Sequence, residues 1–238
     1  MKKRGLWLGF LSILSLGIFL QNALGGVVIE QVMRERGGKV SKATLSFSDQ
    51  RFRTDQEEGG ATVIIDFGKD LMILVNHQLR TYTEMKFSQW EKEVARLLKL
   101  ESSATKSKTR KIVVKRTEEK VIVNGFHTEK IDIVADGEWI EENWVTRDVN
   151  LADVEKLMER VARSFSKEFG VEMKEGREIY EKLKPYGFPV LVRDYSMTVT
   201  RAPIDRLEVT RIERVDLKED DFLPPNLYQL TNPSDSQK

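Results

Sequence analysis

The histidines, His77 and His127, stand fifty residues apart in a chain of 238 residues that has no cysteine. A metal site needs three or four convergent donors, so each histidine is read as an ordinary surface or edge residue. Without a thiol, disulfide scaffolds, iron–sulfur clusters, cysteine-ligated zinc and cysteine nucleophiles are impossible. The segments Ser103-Ala104-Thr105-Lys106 and Ser164-Phe165-Ser166-Lys167 match Ser-x-x-Lys, in which a lysine can activate a serine. The companion Ser-Asp-Asn and Lys-Thr-Gly motifs are missing, which leaves both as coincidences of composition. Glu138, Glu141 and Glu142 could pair as acid and base, but charged residues are 32% of the chain, so neighbouring carboxylates carry little weight. There is no Gly-x-Ser-x-Gly elbow, His-Glu-x-x-His helix, phosphate-cradling glycine loop or dinucleotide fingerprint. The expectation is a protein that is not an enzyme and uses neither cofactor nor metal.

Where such a protein works is set by its N-terminus. Lys2, Lys3 and Arg4 precede an apolar run from Leu6 to Leu20, and Ala23-Leu24-Gly25 places small residues where a signal peptidase reads. Residues 1–25 are therefore expected to be a signal peptide, cleaved before Gly26. The rival, an uncleaved anchor, is disfavoured because the run is shorter than the ~20 residues that cross a bilayer. No cysteine follows it, so lipid attachment through a lipobox is ruled out. The expected location is the periplasm, with a mature chain that does not span the membrane. Removing three leader cations turns the formal charge of +1 into a slight acidic excess, which gives no reason to expect nucleic acid. A hydrophobic share of 40% is too high for a disordered chain.

The elements that must position any site are mostly strands. Val27 to Met33, Leu45 and Phe47, and Phe52 between Arg51 and Arg53 show period two. Thr62 to Phe67 and Leu71 to Val75 are apolar on both faces and are joined by the turn Gly68-Lys69-Asp70. A two-faced hairpin needs cover on both sides, either as a central hairpin under a helix or as the wall of a ligand cavity. Asn76-His77-Gln78 then turns the chain into Leu79 to Thr83. Further strands are expected at Lys111 to Val114 and Lys120 to Val123, at the hairpin Phe126 to Val134 with Glu138 to Val149, and at Val190 to Thr200 and Arg206 to Val215. Trp139 and Trp144 would face opposite ways on one strand unless a bulge intervened.

Three helices are expected. Phe87, Trp90, Val94, Leu97 and Leu98 recur at helical spacing, with Ser88 and Glu91 as a capping box. Val154, Leu157, Met158, Val161 and Phe165 mark a second helix over 151–169 that Gly170 would end, and Ile179, Tyr180 and Leu183 a shorter third that stops at Pro185. From Lys106 to Arg116 there are six cations and no acid, read as a solvated loop and strand edge with anionic headgroups or an acidic partner as the alternative. No repeat or linker divides the chain, so 26–230 is read as one domain, with 231–238 a loose tail. The fold class is α+β, a large antiparallel sheet with helices gathered on one face.

Val27 to Trp90, with Phe47, Arg51-Phe52-Arg53, the Ile64–Val75 hairpin and Tyr82, resembles the exported bacterial carrier superfamily typified by LolA. So do Asn124-Gly125-Phe126, Trp144 to Asp148, Gly187-Phe188-Pro189 and Phe222-Leu223-Pro224. Within it the chain is most similar to an uncharacterised exported family, a domain of unknown function. The resemblance implies an antiparallel sheet curved into an unclosed half-barrel, with helices on the concave face as a lid over an apolar cavity that carries lipids or lipoprotein acyl chains. Three short helices after the first strand block would fit that superfamily better than the single one expected here.

These readings converge on a non-enzymatic protein that binds a hydrophobic ligand, a lipid or a lipoprotein acyl chain, between sheet and helices. Its pocket is expected to draw on Val63, Ile65, Leu71, Ile73, Tyr82, Trp90 and Leu97. The expected partners are a lipid or an acylated protein. The alternative is an envelope protein-interaction or scaffolding module, with an envelope protein partner, whose cavity its own side chains fill.

Overall fold

A computed structural model describes residues 25–34, 38–57, 60–92, 110–166, 170–195 and 204–232. Its strands are β1 (Gly26–Arg34), β2 (Val40–Ser48), β3 (Arg51–Gln56), β4 (Ala61–Asp66), β5 (Leu71–Asn76), β6 (Thr81–Lys86), β7 (Ile112–Val123), β8 (Phe126–Ala135), β9 (Glu138–Thr146), β10 (Phe188–Asp194), β11 (Ile204–Val215) and β12 (Gln229–Leu230). A helix α1 begins at residue 87 and is described through 92. Among the described residues the further α-helices are α2 (Ala152–Ser166) and α3 (Gly170–Leu183). Tight turns explain why these strands fold back where they do. Asn124-Gly125 and Asp136-Gly137 both hold positive φ at their two central positions, as two-residue hairpins require.

All the strands share one sheet in the order β12-β6-β5-β4-β3-β2-β1-β11-β10-β9-β8-β7. Every neighbouring pair is antiparallel except the short parallel pair β12–β6. The sheet is open, with β12 and β7 as its edges. The β2–β6 meander fills one half and β7–β10 the other. They join where β1 pairs with β11, from Gly26 opposite Val215 to Met33 opposite Leu207.

Cross-strand partners share a face, so the register sorts the side chains. Val27, Phe47, Phe52 and Ile65 lie opposite one another in sequence across β1 to β4 and pack with Met72, Phe67, Phe87 and α2's Val154 and Leu157. A second core gathers Ile131, Ile133, Ile140 and Val145 beneath Ile179 and Leu183 of α3. The ladder Ile131–Asn143–Val192–Leu207–Met33 places this core on the same face as the first. On the opposite face of β4 and β5, Ile64, Ile73 and Val75 are covered by Phe222, with Leu217 and Tyr228 beside it. The two-faced hairpin is thus covered on both sides, by helices on one and by the C-terminal segment on the other. Fully burying such side chains is worth roughly 1.5–3 kcal/mol each.

Several expectations change. The two short strands expected around 111–123 are one, β7, interrupted opposite Lys130 by a register shift between Arg116 and Lys120. Gly170 begins α3 instead of ending the helix before it. At the start of α1, Asp70 accepts from both the Ser88 N–H (2.9 Å) and its hydroxyl (2.8 Å), a contact from the β4–β5 turn that local sequence does not show. A bulge at Ile140 puts Trp139 opposite Val134 and Trp144 opposite Lys130, so both tryptophans face the same way. Among the described residues no helix is long and apolar enough to cross a membrane.

Candidate functional site

The residues expected to line one pocket are divided between the two faces. Val63 and Ile65 point to the helix side, where Ile65 is fully buried and Val63 and Trp90 are partly buried against the same core. Leu71, Ile73 and Tyr82 point to the opposite side, beneath the C-terminal segment. The sheet lies between the two sets. Leu97 and Ser103-Lys106 fall outside the described residues. Around Ile65 the space holds Phe47, Phe52, Phe67 and Phe87, with Phe67 edge-on to Phe87 at 5.0 Å and Phe87 stacked on Trp90 at 5.6 Å.

A cleft of about 360 Å³ lies elsewhere, where the start of α2, the end of α3 and the adjoining ends of β9 and β10 meet. Leu151, Met158, Tyr180, Phe188 and Pro189 form much of its wall, with Arg147, Glu155 and Lys184 among the polar lining. Local chemistry builds it. The Asn150 side chain accepts from the Ala152 N–H at 3.1 Å and so caps α2. Gly187, at φ +138, passes so close to β9 that an added Cβ would lie 2.3 Å from the Thr146 carbonyl oxygen. Arg147 donates to the carbonyls of Tyr186 (3.0 Å) and Pro185 (3.2 Å), which fixes the turn between α3 and β10. Lys184 pairs with Glu159 at 2.7 Å and Glu155 at 3.1 Å, and these bonds hold its pKa above the ordinary lysine value. Burial, reinforced by Glu155, raises the Tyr180 phenol. The charges of this cleft are therefore fixed in place beside an apolar wall.

Other titratable groups serve packing. His77 does not stand idle in its turn: Nε2 lies 2.8 Å from the Thr62 hydroxyl and Nδ1 3.0 Å from the Tyr228 hydroxyl, tying β5 to the C-terminal segment. Asp55 joins the same network. Its burial favours the neutral form, but hydrogen bonds from Arg53 and Thr62 and the nearby charges of Arg53 and His77 outweigh that and lower its pKa. His127 is exposed and contacts Asp148 at 3.0 Å. Glu141 and Glu142 face opposite sides of β9, and Glu138 is exposed. Burial raises the Glu141 pKa, against a hydrogen bond from Asn143 at 2.6 Å and the charge of Arg206. On the other face burial, and then a hydrogen bond with Glu142, raise Tyr195, which stacks on Trp139 at 4.1 Å. Two cations of the Lys106–Arg116 run find acids within the chain: Arg110 binds Glu175 and Arg116 binds Glu129. Among the described residues, no group of three or more His, Asp or Glu could hold a metal ion.

Sequence reasoning did not single out the cleft, although its parts were visible as Met158 on the second amphipathic helix and Gly187-Phe188-Pro189 at a strand start. A family profile described as "Domain of unknown function (DUF4412)" matches residues 25–228. A search of curated proteins finds no match. Among solved structures, the chain is similar to an uncharacterized conserved protein from Thermus thermophilus, at 10% identity and TM-score 0.45 over 89% of this chain and 92% of that one. It is similar to MucB at 12% identity and TM-score 0.43, over 86% of this chain and 59% of that one. For PNGF-II the figures are 11% and 0.33, over 87% and 30%.

Proposed function

The chain belongs to the family described as Domain of unknown function (DUF4412), and we propose that it is a non-enzymatic periplasmic protein of LolA-like type that holds the apolar part of an amphiphile, such as an acyl chain. In this reading its open sheet is an unclosed half-barrel with the helices on the concave side. The ligand enters the cleft between α2, α3 and the start of β10, not the space between Val63 and Trp90. The observation that carries the reading is the cleft's size and lining: about 360 Å³, walled by Leu151, Met158, Tyr180 and Phe188, with the charges of Lys184 and Arg147 already engaged. That volume lies within the range of small-molecule sites, and its mixed apolar and polar lining suits an amphiphile.

Displacement of a fluorescent fatty acid tests this. Met158→Trp, which fills the cleft, is expected to weaken binding at least about tenfold, the effect of some 1.4 kcal/mol, while Trp90→Ala leaves affinity unchanged. Absence of any displaceable binding, together with no lipid extracted from the protein purified from its own periplasm, would sink the reading. The filled space around Ile65 supports a second one, an envelope interaction module with a self-packed core. In that case crosslinking in cells captures a consistent protein partner, and Met158→Trp has no effect on it.

A further inference from the structure

β7 ends the sheet, and among the described residues no strand pairs with its outer side. An edge strand of twelve residues presents a row of unpaired backbone groups. Which residues own those groups follows from the ladder. Asp136 N–H donates to the Lys111 carbonyl at 3.0 Å, so the backbone groups of Lys111, Val113 and Lys115 turn inward to β8, and those of Ile112, Val114 and Arg116 turn outward. At the other end the two-residue Asn124-Gly125 turn closes on the pair Val123–Phe126, so Lys120 and Ile122 turn outward as well. Arg116 and Lys120 keep the same phase on either side of the register shift, because they oppose Ile131 and Glu129, which lie on one face of β8, while between them the Glu119 N–H donates to the Thr117 hydroxyl at 3.2 Å.

The side chains along this edge are self-complementary. Its sequence, Ile112-Val113-Val114-Lys115-Arg116-Thr117-Glu118-Glu119-Lys120-Val121-Ile122-Val123, is basic before Thr117 and acidic after it, with apolar residues towards both ends and Lys120 opposite Val114. An antiparallel copy centred on Thr117 sets Lys115 against Glu119, Arg116 against Glu118 and Val113 against Val121, each twice. The outward backbone groups then meet outward backbone groups. Shifting the centre by one residue either way brings like charges together: Arg116 against itself, or Glu118 against itself. Opposite charges across a strand pair stabilise and like charges oppose it. Val113, Val121 and Ile122 are 38%, 46% and 68% exposed, large for apolar side chains. Arg116 is already paired with Glu129 and Glu119 with Lys130, so the contacts across the two copies would extend these intrachain ion pairs. Lys182 donates to the Ile112 carbonyl at 2.5 Å, so the free stretch runs from Val113 towards Val121.

We propose that β7 is the interface with a second copy of this chain, paired antiparallel about a two-fold axis through Thr117 so that the two sheets become one. A two-fold interface of this kind is isologous and closed. The proposal is independent of what the cleft binds.

The chain's lack of cysteine makes the test clean. Opposed residues of a non-hydrogen-bonded antiparallel pair have Cα atoms about 4.5 Å apart, within disulfide reach. Thr117→Cys should therefore form a covalent dimer on mild oxidation, while Lys115→Cys, which opposes Glu119, should not. Sedimentation equilibrium of the unaltered protein should show a dimer. Reversing one half, Lys115→Glu with Arg116→Glu, or the other, Glu118→Lys with Glu119→Lys, should give monomers of unchanged circular dichroism. Mixing the two variants should restore a dimer with one copy of each. An unaltered protein that stays monomeric overturns the proposal, as does a dimer that survives both reversals or crosslinks equally at residue 115.

Discussion

At the scale of single residues, burial and hydrogen bonding set two carboxylates in opposite directions, and stability should report both. The Glu141 pKa is raised by burial, so the folded state keeps its proton at pH values where the unfolded chain has lost it. Stability then falls as pH rises through the unfolded value and levels off above the folded one. Glu141→Gln removes that loss, so its urea midpoint should exceed that of the unaltered protein at neutral pH and equal it below about pH 4. Asp55 is the reverse case. Its lowered pKa means that stability is present above the unfolded value and lost as pH falls through the folded one. Asp55→Asn should be less stable at neutral pH, and its midpoint should change less between about pH 5 and pH 2. Neither residue's role is legible in sequence. Glu141 is one of three neighbouring glutamates, and Asp55 one charge in the polar stretch after Phe52. What distinguishes them is the face each occupies and the residues that share it: Asn143, two positions along the strand, and the distant Arg206 for one, Thr62 and His77 for the other.

At the scale of elements, the legible features are local and the hidden ones distant. Strands with clear turns are readable, because Gly68-Lys69-Asp70, Asn124-Gly125 and Asp136-Gly137 carry their geometry in a few residues. The division of the β4–β5 hairpin is not. Alternation says that Ile64 and Ile65 face opposite ways but not what covers each, and the cover for Ile64 comes from Phe222, far along the chain. In sequence Phe222-Leu223-Pro224-Pro225 resembles the end of an ordered region, whereas in the structure it is a strap across the sheet. Phe222→Ala should cost about 3 kcal/mol in urea unfolding, as truncation of a buried aromatic does. It should also speed hydrogen exchange in the strap, where the His77–Tyr228 contact would loosen. Gly187 is the other sensitive point. Any side chain there meets the Thr146 carbonyl at a backbone angle that disfavours it, so Gly187→Ala should destabilise by about 1–3 kcal/mol and open the cleft beside it.

At the scale of the whole molecule, one sheet carries two cores on its helix face and a third beneath the C-terminal segment, and the β1–β11 ladder joins its halves into one unit. Unfolding should therefore be a single transition. Variants retaining only Trp90, beside the first core, or only Trp144, buried in the other half, should give fluorescence midpoints that coincide with circular dichroism. Separate midpoints would mean that the halves fold independently. The same ladder has a consequence during synthesis. β1 leaves the ribosome well before its partner β11, so until β11 is made β1 holds one vacant side. A nascent chain halted before Ile204 would release two half-sheets, each with a raw edge at the break. Such fragments are expected to aggregate or be proteolysed, which makes the synthesis of β11 the step that rescues both halves of the sheet.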